Sequence, residues 1–117
     1  MTFSNEKPIF QQIADRLAGE ILAYEYRDDD RIPSVREYAV LLEVNINTAV
    51  KAYELLARDG IIYNKRGIGY FVTSGAREMI LKQRRQDFME NRLPEMIRQM
   101  RLLDIGLGDV VNAWQKK

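Results

Sequence analysis

Apolar residues keep helical spacing along this chain as far as Leu56, and at Gly60 the period changes. Before the change, Ile9, Ile13, Leu17 and Ile21 recur every fourth residue, with Phe10, Ala14 and Leu22 beside them. This predicts an amphipathic core helix opened by Pro8 and fading at Tyr24-Glu25-Tyr26. The polar stretch Arg27-Asp28-Asp29-Asp30-Arg31 follows and is expected to be a solvated loop, since it lacks the Gly and trailing Glu of a calcium loop. Ser34 and Glu37 then stand at capping-box spacing, which predicts a short second helix with Val35, Tyr38, Ala39 and Leu42 turned inward. After a tight turn at Glu43-Val44, Asn45 suits the N-cap of a third helix that buries Ala49, Ala52, Tyr53 and Leu56 and ends at Gly60. Beyond Gly60, the β-prone runs 61–64 and 70–73 flank Lys65-Arg66-Gly67-Ile68-Gly69, the pattern of a β-hairpin. Three helices, the last two joined by a tight turn, then a hairpin: that order is a winged helix-turn-helix.

The rest of the chain returns to helical spacing. Ser74 and Gly75 open a tail whose residues from Arg77 to Arg92 are mostly strong helix formers, and Pro94 either kinks that helix or begins another. Leu93, Met96, Ile97, Met100 and Leu103 form one apolar stripe. After a break at Gly106, Leu107, Val110, Val111 and Trp114 form a second. A two-helix tail cannot cover both stripes alone, so they are expected to pair with a second copy, joined by Met79, Ile80 and Phe88. The expected fold is mainly α with a small β-hairpin wing: a winged helix-turn-helix head over residues 1–75 and a helical dimerisation tail over 76–117.

Composition narrows the function. Cys and His are both absent from the 117 residues, which removes thiolate chemistry, disulfides, the commonest general base and the commonest metal ligands. No convergent set of carboxylates takes their place, so neither an enzyme nor a cofactor or metal site is expected. No long apolar run suggests a membrane span, and the first residues lack the order of a secretory signal, so the expected compartment is the cytoplasm. The net charge of +1 does not itself indicate nucleic acid, so any such reading rests on where charges are placed.

That placement is informative. Asn47, Thr48 and Lys51 lie opposite the buried stripe of the third helix, in its first turns, where a recognition helix meets base edges. Asn can pair with adenine, Thr can touch a thymine methyl, and Lys can reach guanine or phosphate. Lys65 and Arg66 put positive charge at a glycine-flanked hairpin tip suited to close approach to a backbone, and Arg36 lies in the first turn of the second helix. Each feature alone also fits a solvated surface, and their order points to double-stranded DNA. A winged helix serving as a protein-interaction module is the alternative.

The segments Arg31-Ile32-Pro33-Ser34-Val35-Arg36-Glu37, Val44-Asn45-Ile46-Asn47-Thr48, Ala52-Tyr53, Gly60-Ile61-Ile62 and Arg66-Gly67-Ile68-Gly69-Tyr70-Phe71-Val72 together resemble the GntR family of bacterial regulators. The Asn-x-Asn-Thr and Ala-Tyr variants and the short tail resemble its YtrA subfamily. The resemblance implies a homodimer that represses an operon, often one encoding a transporter. It implies DNA contacts at Ser34 and Arg36, at Asn45, Asn47, Thr48 and Lys51, and at Arg66, Gly67 and Gly69. Ile46 and Val50 stand where many relatives carry Arg, so those contacts are not carried over. Asp28-Asp29 replaces a usual Pro-Gly pair.

Overall fold

The computed structural model describes Phe3 and residues 6–116. Contacts divide the chain into two units, Met1–Leu81 and Lys82–Lys117. The first holds α1 (Ile9–Leu22), α2 (Val35–Leu42), α3 (Ile46–Arg58), β1 (Ile62–Lys65), β2 (Gly69–Val72) and the first turns of α4 (Ala76–Asp87). The second holds the rest of α4, a π-helical stretch Phe88–Arg92, α5 (Leu93–Leu102) and α6 (Leu107–Gln115).

The head follows the apolar periodicity. Ile13, Leu17 and Ile21 of α1 meet Tyr38 and Leu42 of α2 and Ala52, Tyr53 and Leu56 of α3 in one core, closed by Ile62 and Val72 of the hairpin. The caps form as the sequence predicts. Ser34 Oγ accepts from the Glu37 backbone N–H at 3.1 Å, and Glu37 Oε1 accepts from the Ser34 N–H at 3.0 Å. That backbone donor holds the Glu37 carboxyl below its ordinary pKa. Glu43 takes the left-handed conformation at φ 56°, which turns the chain sharply between α2 and α3. Tyr38 donates its hydroxyl to the Glu20 carboxylate and ties α2 to α1.

The hairpin is antiparallel, pairing Ile62 with Val72, Tyr63 with Phe71, Asn64 with Tyr70 and Lys65 with Gly69. Lys65 and Gly69 therefore belong to the strands and not to the loop, which is shorter than the sequence suggests. A third segment lies on β2: Asp29 N–H donates to Val72 O at 2.8 Å, Val72 N–H to Asp30 O at 2.9 Å and Ile32 N–H to Tyr70 O at 3.0 Å. The acidic loop is exposed as expected, yet it is also bonded. Asp29 accepts from the Tyr63 hydroxyl at 2.9 Å, and Asp30 accepts from the Arg27 N–H at 2.8 Å. Asp29 holds φ 62°, a conformation short polar side chains tolerate better than most.

Two tail expectations change. Ala76 and Ile80 are buried in the head core, Ile80 with only 4% of its surface exposed. Ile80 is thus a core residue and not an interface residue, and the compact head extends six residues past Gly75 to Leu81. Arg77, on the same turn, donates from Nε to Leu22 O at 2.9 Å and lies 4.2 Å from the Tyr24 ring centroid, supplying a partner for a carbonyl at the end of α1. Met79 is exposed near Gly60. Pro94 begins another helical element, one of the two outcomes the sequence leaves open. It sits in the first turn of α5, directly after the π stretch. A prolyl ring lacks an N–H and collides with the carbonyl four residues earlier, and a widened π turn accommodates both. Gly106 caps α6, its N–H donating to Asp109 Oδ2 at 3.0 Å. No described side chain of the second unit is buried.

Candidate nucleic-acid interface

The polar face of α3 begins with its cap. Asn45 Oδ1 accepts from the Asn47 backbone N–H at 2.7 Å, which leaves the Asn45 amide donors for another partner. Asn45, Asn47 and Lys51 are exposed, and Thr48 is half-buried between them and the buried Ala49. Arg36 is exposed on the first turn of α2. Ser34 is half-buried, with its oxygen already engaged as the α2 cap, so local structure accounts for it.

One side chain fixes these two helices together. Tyr53, buried on α3, donates its hydroxyl to Pro33 O at 2.6 Å, immediately before the α2 cap. Burial holds the Tyr53 hydroxyl pKa well above its usual value, so it remains a donor. Its ring lies 6.0 Å from Tyr38 and 5.1 Å, edge-on, from Tyr70 of β2. Three tyrosines thus join α2, α3 and the hairpin.

At the wing tip Arg66 and Gly67 are exposed, Gly67 with φ 80°. Lys65 Nζ lies 4.7 Å from the Phe71 ring centroid, and Phe71 stacks on Tyr63. Gly69 holds φ 143°, a conformation that side chains rarely adopt, and a Cβ there would stand 3.0 Å from Nε of the exposed Arg31 side chain. Arg31 was not among the expected contacts. It lies beside the wing because its segment pairs with β2, an association over about forty residues that no local pattern reveals. Among the described residues, Arg31, Arg36, Lys51, Lys65 and Arg66 form no ion pair with an acidic side chain. Their charges are not neutralised by contact, as a surface meeting phosphate requires.

A helix-turn-helix followed by a two-stranded hairpin, with polar and cationic side chains on the third helix and the wing, defines a winged helix-turn-helix. Residues 9–72 match the bacterial regulatory proteins of the gntR family, and the chain belongs to that family. It is 33% identical over 103 residues to the uncharacterized HTH-type transcriptional regulator YhcF of Bacillus subtilis, covering 88% of this chain and 84% of that protein. It is 36% identical over 75 residues to the HTH-type transcriptional repressor YtrA of the same organism, covering 64% of this chain and 58% of YtrA. A GntR-family regulator of Bacteroides thetaiotaomicron superposes with a TM-score of 0.72 at 41% identity, over 93% of this chain and 95% of that one. The DNA-binding domain of AraR, solved with operator ORX1, superposes with a TM-score of 0.57 at 25% identity, over 62% of this chain and 93% of that domain. The protein is a YtrA-like transcriptional regulator with a DNA-binding winged helix. No described helix is long and apolar enough to cross a membrane.

Proposed function

We propose that this protein is a homodimeric repressor that binds an inverted-repeat operator, with α3 reading the major groove and the wing and Arg36 gripping the backbone. The observation that carries this is the exposed set Asn45, Asn47 and Lys51 at the α3 tip, in the same compact unit as the exposed Arg36 and Arg66. Repression is supported by the likeness to the repressor YtrA, and a transporter operon is the target the subfamily resemblance favours. Pairing is supported by the tail. Leu103, Leu107 and Trp114 are exposed to 68%, 77% and 81%, and Met96, Ile97 and Val111 are also open. A second tail would cover Phe88, Leu93, Met96, Ile97, Met100, Leu103, Leu107, Val110, Val111 and Trp114 and place two heads on one duplex with two-fold symmetry.

Selection of bound sequences from random duplex DNA tests this reading directly. A palindromic consensus is the expected result. On the selected duplex, Asn47→Ala and Lys51→Ala are each expected to weaken binding by about 1–3 kcal/mol and to relax base preference at one position per half-site. Unchanged affinity and preference in both variants would assign base reading elsewhere.

Arg36→Ala and Arg66→Ala are expected to act differently. They should weaken selected and scrambled duplexes alike, and each should lower the slope of log affinity against log salt by about one. If Arg66→Ala shifts base preference and leaves the slope alone, the wing reads bases. If Lys51→Ala and Arg66→Ala are both silent and binding is weak on every duplex, the head serves as a protein-interaction module.

A further inference from the structure

Ile46 is the first residue of α3, and 37% of its surface is open to solvent. Val50, one turn further on, is half-buried. Neither belongs to the core cluster of the head or to the partly buried apolar residues packed against it. Ile46 therefore presents part of an aliphatic side chain to solvent at the helix tip.

Residue steps of about 100° place Ile46 and Val50 in a column beside Asn47 and Lys51. The tip of α3 thus presents a polar column and, next to it, an apolar one. The polar column can exchange hydrogen bonds with base edges, and the apolar column cannot. The apolar group that base pairs display in the major groove is the thymine C5-methyl. We infer that Ile46, with Val50 behind it, reads a thymine methyl in each operator half-site. This rests on the DNA-reading role of α3 proposed above and adds a specificity-determining residue to it.

Replacing thymines one at a time by deoxyuridine removes only that methyl. The probe is a duplex recovered by selection with the full chain. At one thymine per half-site, the replacement is expected to weaken binding by the full chain about fourfold, the scale of one buried methyl group. Ile46→Ala should weaken binding to the thymine duplex by a similar factor and should no longer distinguish thymine from deoxyuridine at that position. Ile46→Val keeps the β-branch, loses only the Cδ1 methyl and should retain most of the discrimination. If no thymine position responds to the replacement, or if Ile46→Ala discriminates at every position as the unaltered chain does, the contact is overturned while the role of α3 stands. If selection recovers no preferred sequence, the proposed function fails and the contact fails with it.

Discussion

Tyr53→Ala is expected to destabilise the head by about 3–5 kcal/mol, the cost of emptying a fully buried aromatic site. Tyr53 is completely buried, and its ring touches those of Tyr38 and Tyr70. A small domain has only about 5–15 kcal/mol in total, so much of the population would unfold well below the melting temperature of the unaltered chain. Tyr53→Phe separates the two roles of the side chain. It keeps both ring contacts and loses only the hydroxyl that Pro33 O accepts, so about 1 kcal/mol is expected. Its consequence for DNA should exceed its consequence for stability, because Pro33 directly precedes the cap that positions Arg36. Urea unfolding followed by circular dichroism measures the first effect. Titration of the selected duplex, at a temperature where both proteins are folded, measures the second. A Tyr53→Ala protein within about 1 kcal/mol of the unaltered chain would mean that the three tyrosines do not hold the head together.

The parts of this structure legible in the sequence are those in which neighbours along the chain decide the conformation. The Ser34–Glu37 cap and the inward faces of α1, α2 and α3 each follow from a spacing of three or four residues, and the Asn45 cap follows from residue type. The outward positions Asn47 and Lys51 are legible for the same reason, since fixing one face of a helix fixes the other. Contacts between distant segments carry no such signal. Ala76 and Ile80 fit equally well in any helix, and nothing local shows that they complete a core built mostly from residues before them. The pairing of residues 29–32 with β2 is equally hidden, and with it the approach of Arg31 to Gly69. Asp29 hides a turn in a different way: it takes the left-handed conformation that glycine would have announced. The π stretch before Pro94 is a compromise between continuing a helix and accommodating a prolyl ring, and the sequence alone left both outcomes open.

The largest effect on operator binding is expected from ending the chain after Leu81. Such a protein keeps Ala76 and Ile80 in the head core, together with the Arg77 bond to Leu22 O, and should remain folded. It should sediment as a monomer, because the exposed apolar residues of α5 and α6 are gone. Two linked heads on one duplex gain from effective concentration, so its affinity for a two-half-site operator should fall by about 10²–10⁴-fold. Its affinity for a single half-site should change little. Ending the chain after Gly75 is a different experiment. It also removes Ala76 and Ile80, and loss of a buried isoleucine alone costs about 2–5 kcal/mol even when the backbone remains. Weak binding by that shorter protein would therefore report unfolding as much as loss of pairing, whereas the Leu81 truncation isolates pairing. Analytical ultracentrifugation, thermal unfolding and gel-shift titration on one-site and two-site duplexes separate the cases. If the chain ending at Leu81 stays dimeric, the heads pair through their own surface. If it is monomeric and still binds the two-site operator as tightly as the intact protein, the tail does not act by joining two heads on DNA.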